Sequence, residues 1–245
     1  MKYKALVIIF YLLTYSRIIK SAEINIAVAS NFSSTISKII KQFKLINDCK
    51  VNLILGSSGK LYAQIIHGAP YDIFLSADKY RVEQLIKNGI SSNKNRLTYA
   101  KGTLVLFSLN LNFNHFSENK FNKLRRIAIA NPIIAPYGLA AKQYLQFLNQ
   151  WEKIQESLIF GENISQAFQF AVTENVDIAI VSLAQVLELN IKQKNYFIIS
   201  NHKYNPIEQD AILISKKLMA EKFFNYLKNE QVKKLIESNG YKVVR

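Results

Sequence analysis

The chain has 245 residues, a formal net charge of +15 and a hydrophobic share of 49%. That length suits one large or two small domains with a sizeable core. Its cations are scattered (Lys38, Lys41 and Lys44, then Lys216 and Lys217, then Lys233 and Lys234) with no recognition motif beside them, which argues against a nucleic-acid partner and for a solvated basic surface.

Lys2 and Lys4 precede an apolar run from Ala5 to Leu13, which reads as the basic and hydrophobic regions of a secretory signal over residues 1–22. The run is too short to span a membrane. Cleavage after Ala22 puts Lys20 where a small residue is wanted, and cleavage after Ser16 leaves a basic stub, so the cleavage site stays open and an uncleaved anchor is the alternative. Ile24–Ala29 then reads as a strand, and Phe32–Leu45 as a helix through Phe32, Ile36, Ile39, Ile40 and Phe43. Val51–Leu55 is a second strand, Leu61–His67 a helix start, Asp72–Leu75 a third strand and Lys79–Lys87 a helix closed by Asn88-Gly89. Strand and helix alternate, which implies a parallel sheet with helices on both faces.

A second series follows. Thr103–Ser108 reads as a strand, Asn110–Asn119 as a polar loop, Arg126–Ala130 as a strand and Leu139–Leu148 as a helix. Ile164–Val172 is a helix, Ile178–Val181 a strand, Ala211–Ile214 a strand, and Leu218–Ile236 helical. No Gly/Pro linker separates the series. Two α/β lobes joined by strand crossings near Tyr99–Lys101 and Pro206–Asp210 fit best, with residues 23–99 and 207–245 in one lobe and 100–206 in the other.

Four segments look like the mouth of a helix opening off a strand: Ala29-Ser30-Asn31, Gly56-Ser57-Ser58-Gly59, Ala135-Pro136-Tyr137-Gly138 and Glu162-Asn163-Ile164. Each such end presents unpaired N–H groups and about half a positive charge. Aimed at one point, four of them face a dianion with on the order of two positive charges. Singly, each is an ordinary cap, and the signal is their joint occurrence after successive strands. Gly56-Ser57-Ser58-Gly59-Lys60 is not a nucleotide loop, because only two residues separate Gly56 from Gly59-Lys60 and Leu61 follows. No nucleophile–base pair, carboxylate pair or metal spacing accompanies the mouths, so an enzyme is disfavoured. Asp72 and Asp78 read as a strand end and a cap. The single Cys49 excludes an internal disulfide, and His67, His115 and His202 lack zinc-ligand spacing. No Arg stands at a mouth, which argues against a carboxylate ligand, while Lys60 and Lys142 are placed to add long-range positive charge.

Taken in order, Ala27-Val28-Ala29-Ser30, the run from Gly56 to Ile65, the run from Gly68 to Asp78, Tyr99-Ala100-Lys101-Gly102, Ile129-Ala130-Asn131-Pro132, the run from Ala135 to Ala141 and the run from Gly161 to Ala167 strongly resemble the periplasmic molybdate-binding proteins of bacterial ABC importers. The likeness spans about Ile24 to Tyr241. It implies a two-lobed clamshell that holds molybdate or tungstate in the interlobe cleft without counter-charges or a cofactor. The partners it implies are a membrane permease and ATPase, and it points to a periplasmic monomer. Matched by position, Ser30 and Ser58 supply hydroxyls, and Tyr137 and Ile164 supply backbone amides. Ser182 stands where some members place a tyrosine hydroxyl, a departure that puts a fifth direct donor in doubt. Sulfate or another oxyanion is the alternative ligand.

Overall fold

The computed structural model describes residues 22–115, 121 and 123–243. The signal read over residues 1–22 therefore lies outside the described residues except for Ala22, which opens the first strand, and so does the end of the Asn110–Asn119 loop. Among the described residues, no helix is long and apolar enough to cross a membrane.

The first sheet begins with β1 (Ala22–Ala29), whose last residues Ile26–Ala29 are all buried. A 3-10 turn, Ser30–Phe32, leads into α1 (Ser33–Lys44), which buries Ile36, Ile39 and Phe43 and carries Lys41 and Lys44 in its last turn, where cations offset the dipole. β2 (Cys49–Gly56) pairs parallel with β1 in register from Ala22↔Cys49 to Ala29↔Gly56, so both strands end at one level. α2 (Ser58–Ile66), β3 (Ile73–Leu75) and α3 (Tyr80–Lys87) follow, with β3 parallel to β1 on its other side. β4 (Arg96–Gly102) then runs out of this lobe, and β5 (Leu104–Phe107) begins the second sheet one residue later.

The second lobe repeats the arrangement. β6 (Ile127–Ala130), α4 (Pro136–Phe147), β7 (Leu158–Gly161), α5 (Ile164–Val172), β8 (Ile178–Ser182) and the short α6 (Leu183–Glu188) follow in order, then β9 (Tyr196–Ile198). β10 (Ile207–Leu213) returns the chain to the first lobe, where α7 (Leu218–Tyr226) and α8 (Glu230–Ser238) complete it. Both sheets have five strands, ordered β2-β1-β3-β10-β4 and β7-β6-β8-β5-β9. In each, three adjacent strands are parallel, and the remaining two join antiparallel because they are the strands that cross between lobes or double back beside a crossing.

β7, β9 and α6 are additional to the expected elements, and β4 extends the crossing expected near Tyr99–Lys101 to Arg96–Gly102. β4 mixes Arg96 and Lys101 with apolar residues, and β9 is three residues long with two exposed side chains, so neither carries a clear period. Cys49 is the buried first residue of β2, where desolvation raises its thiol pKa and keeps it protonated. Asp72 accepts the Asn25 amide at 2.7 Å and pairs with Lys217 at 3.0 Å at a strand end, and Asp78 accepts the Arg81 amide at 3.0 Å at the mouth of α3, as expected of each.

Candidate functional site

Each of the four segments lies beyond the carboxyl end of a parallel strand: β1, β2, β6 and β7. What distinguishes them is the use already made of their first-turn amides. At α2, Ser57 is the cap and its Oγ accepts the Lys60 N–H at 3.4 Å, while the Gly59 N–H crosses to the Ile134 carbonyl of the other lobe at 2.8 Å. That leaves the Ser58 amide, which has no partner within its own helix. The Ser58 hydroxyl is fully buried and accepts the Ala77 N–H at 2.9 Å, so its own proton remains to be donated.

At α4, Pro136 has no N–H and Ala135 has no side chain able to cap, so Tyr137 supplies the first amide of the helix. A side chain at Gly138 would put its Cβ 2.2 Å from the Ala130 carbonyl oxygen, so only glycine lets this helix start so close to the end of β6. At α5, Asn163 Oδ1 accepts the Ser165 and Gln166 amides at 3.0 and 3.1 Å, which leaves the Ile164 amide. The same Asn163 oxygen accepts the Ser30 hydroxyl at 3.2 Å across the cleft, and the Ser165 hydroxyl donates to the Ser30 carbonyl at 3.2 Å.

Ser30, Ser58, Tyr137 and Ile164 therefore meet. With Asn31, Ser57 and small neighbours such as Ala29, Gly56 and Ala77 they surround a small, tight cavity. No ionisable side chain from the described residues lines it except the Tyr137 phenol. Desolvation raises the pKa of that phenol against opposing hydrogen bonds from Ser182 and Gln209, so it stays neutral. Lys60, expected to add charge, is paired with Glu162 at 2.7 Å, and Lys142 lies over the Trp151 ring 5.1 Å from its centroid. Positive potential in the cavity thus comes from helix ends and amides.

Ser182 is placed differently from the other four. It is buried at the end of β8, but it stands outside the cavity lining and donates to the Tyr137 hydroxyl at 3.3 Å. The Tyr137 ring fills the space between Ser182 and the β4 strand, where its hydroxyl lies 2.1 Å from the point a Cβ on Gly102 would occupy. Residues not expected from the sequence stand behind the cavity: Tyr99, Gln209 and Tyr241, all buried. Asn31 was within reach, since it sits inside one of the four segments. Gln209 carries no local signal, because only the return of β10 brings it there.

A donor-lined cavity closed between two α/β lobes defines a solute-binding protein. The chain belongs to the bacterial extracellular solute-binding protein family, whose model matches residues 24–242, and it is a solute-binding protein and not an enzyme. It is 35% identical to the molybdate-binding protein ModA of Azotobacter vinelandii over 91% of this chain and 90% of that one. To ModA of Rhodobacter capsulatus it is 32% identical over 90% and 88%. Among solved structures, the Azotobacter vinelandii periplasmic molybdate-binding protein superposes with a TM-score of 0.84 at 33% identity, covering 91% of this chain and all of that one. The sulfate-binding protein SubI of Mycobacterium tuberculosis, at 14% identity and a TM-score of 0.74 over 91% and 87%, shares the fold.

Proposed function

We propose that this protein captures molybdate, or tungstate, in the interlobe cavity and delivers it to the permease and ATPase of an ABC importer. On this reading it works as a periplasmic monomer with no cofactor and no nucleic-acid partner. The lobes comprise residues 23–99 with 207–245, and residues 100–206, and they hinge at Tyr99–Lys101 and Pro206–Asp210. The observation that carries the reading is the set of amides left over at Ser58, Tyr137 and Ile164, joined by the free proton of the Ser58 hydroxyl and by the Ser30 hydroxyl, which turns from Asn163 to the anion, around a cavity without charged side chains. The likeness to the molybdate-binding proteins of Azotobacter vinelandii and Rhodobacter capsulatus supports molybdate as the oxyanion.

Hydrogen bonds to a charged acceptor contribute roughly 1.5–3 kcal/mol each, so these five donors amount to about 8–15 kcal/mol before dehydration and closure are subtracted. A net of about −8 to −10 kcal/mol corresponds to micromolar binding or tighter. Selectivity follows from two features. A donor-only site leaves the hydroxyl of protonated phosphate without an acceptor. Cavity size separates molybdate and tungstate from sulfate, whose bonds to oxygen are shorter. Isothermal titration is expected to give tight binding of molybdate and tungstate, sulfate at least about tenfold weaker, and no heat with phosphate. Sulfate binding as tight as molybdate would transfer the assignment to sulfate.

Ser182→Tyr tests the fifth position. The Tyr137 phenol already occupies the space in front of Ser182, so a second ring crowds it at a cost of about 1–3 kcal/mol. Weaker molybdate binding is expected, and a tighter constant would mean that the pocket has kept room for the phenol.

A further inference from the structure

Behind the cavity, one buried side chain touches both lobes. Gln209 is fully buried on β10, the strand that returns from the second lobe to the first, at a register shift against β4 between Gln209 and Asp210. Such a bulge re-aims a side chain. Its Oε1 accepts Asn31 Nδ2 at 2.9 Å and the Tyr99 hydroxyl at 3.0 Å, both from the first lobe. Its Nε2 donates to the Tyr137 hydroxyl of the second lobe at 3.3 Å. Asn31, from the first lobe, and Tyr137, from the second, both line the cavity, and the Asn31 amide also interacts directly with the Tyr137 hydroxyl. Asn31 is also held from the other side: its Nδ2 donates to the Tyr241 hydroxyl at 3.2 Å, and that hydroxyl donates to the Asn31 carbonyl at 2.6 Å. An amide satisfies this arrangement at both ends, since it accepts on one atom and donates on the other.

We infer that Gln209 is a positioning residue that ties the two walls of the anion cavity together in the closed state, holding Asn31 and Tyr137 through the hinge strand without touching the ligand. The inference rests on the anion-binding reading above. With both walls held by one side chain, the closed form is stabilised independently of the anion's own contacts, so release is slowed. The ionisable groups facing Gln209 are the phenols of Tyr99, Tyr137 and Tyr241, each raised by burial and neutral. Its strand neighbours are turned elsewhere, Glu208 toward Lys79 and Lys101 and Asp210 toward Arg96.

The test uses the purified protein and two variants, with molybdate affinity and release rate measured from pH 5 to pH 8 and the fold checked by circular dichroism. Gln209→Leu keeps the bulk and removes the hydrogen bonds. It is expected to bind molybdate about tenfold or more weakly, chiefly through faster release. Gln209→Glu serves as the conservative variant. Protonated, its carboxyl accepts and donates as the amide does; ionised, it donates nothing to Tyr137 and puts negative charge behind the anion. Burial raises the pKa of such a carboxyl into the measured range. Its deficit should therefore shrink by about fivefold or more from pH 8 to pH 5, relative to the parent at each pH, which a purely structural lesion would not do. Gln209→Leu binding within twofold of the parent, or a Gln209→Glu deficit that does not change with pH, overturns the inference and leaves the anion reading standing. A parent protein that binds neither molybdate, tungstate nor sulfate overturns both.

Discussion

Arg96→Met is expected to destabilise the protein by about 3–5 kcal/mol at neutral pH, because it leaves the Asp210 carboxylate buried without its partner. The Asp210 side chain is fully buried on β10, paired with Arg96 and accepting the Thr98 hydroxyl at 2.7 Å. The Arg96 guanidinium also reaches Glu83 at 3.0 Å, so it ties β10 and β4 to α3. Burial outweighs these bonds and raises the Asp210 pKa above its ordinary value, while the carboxylate partners raise that of Arg96 despite burial. The sign follows from linkage. A carboxyl whose pKa is raised by folding binds its proton more readily in the folded state, so it costs stability as pH rises through the folded pKa. Removing Arg96 raises that pKa further, so the loss should be largest at neutral pH and shrink as acid protonates Asp210. Denaturant titration at pH 7 and pH 5 checks this, with Arg96→Met/Asp210→Asn as the control. The double variant should recover most of the stability, since the uncompensated charge is gone. If it is no more stable than Arg96→Met alone, burial of that charge is not the cause.

The same pair of crossing strands marks where sequence reading reaches its limit. The central strands were readable because both faces are covered: Ile26–Ala29 and Ile178–Ser182 are buried at every position, and continuous apolar runs of that length have few alternatives. The helix mouths were readable because capping chemistry is local. Pro136 at the first helical position, Asn163 before Ile164 and the paired serines before Lys60 each mark a helix start without reference to the rest of the chain. Their convergence was an inference from topology, and it depended on β1 and β2, and β6 and β7, ending level. The residues behind the cavity escaped because nothing near Gln209 or Tyr241 in sequence hints at Asn31, from which they are separated by most of the chain. Ser182 shows the converse. Position along a family pattern places it at the site, but its hydroxyl is turned to the Tyr137 phenol and it stands outside the cavity lining, and the place of a side chain on another strand–helix unit is not written in the local motif.

The two adjacent serines at the mouth of α2 separate a capping role from the proposed binding role within one residue of sequence. Ser57 has extended backbone and its hydroxyl accepts the Lys60 N–H, so Ser57→Ala should cost stability, about 0.5–2 kcal/mol, and leave molybdate affinity nearly unchanged. Ser58 is the first helical residue, and its hydroxyl accepts the Ala77 amide with its proton free. Ser58→Ala should therefore act twice. It leaves the Ala77 N–H buried without its acceptor, a cost of about 1–3 kcal/mol in folding, and it removes a donor to the anion, worth about 1.5–3 kcal/mol. The second loss corresponds to roughly 10- to 150-fold in affinity. Titration calorimetry and denaturant unfolding on both variants distinguish the two contributions, because capping moves only the unfolding midpoint. If Ser57→Ala loses more affinity than Ser58→Ala, the free proton belongs to Ser57 and the anion sits one residue earlier on the helix mouth. If neither changes affinity, the first turn of α2 faces an empty wall and the oxyanion is held elsewhere.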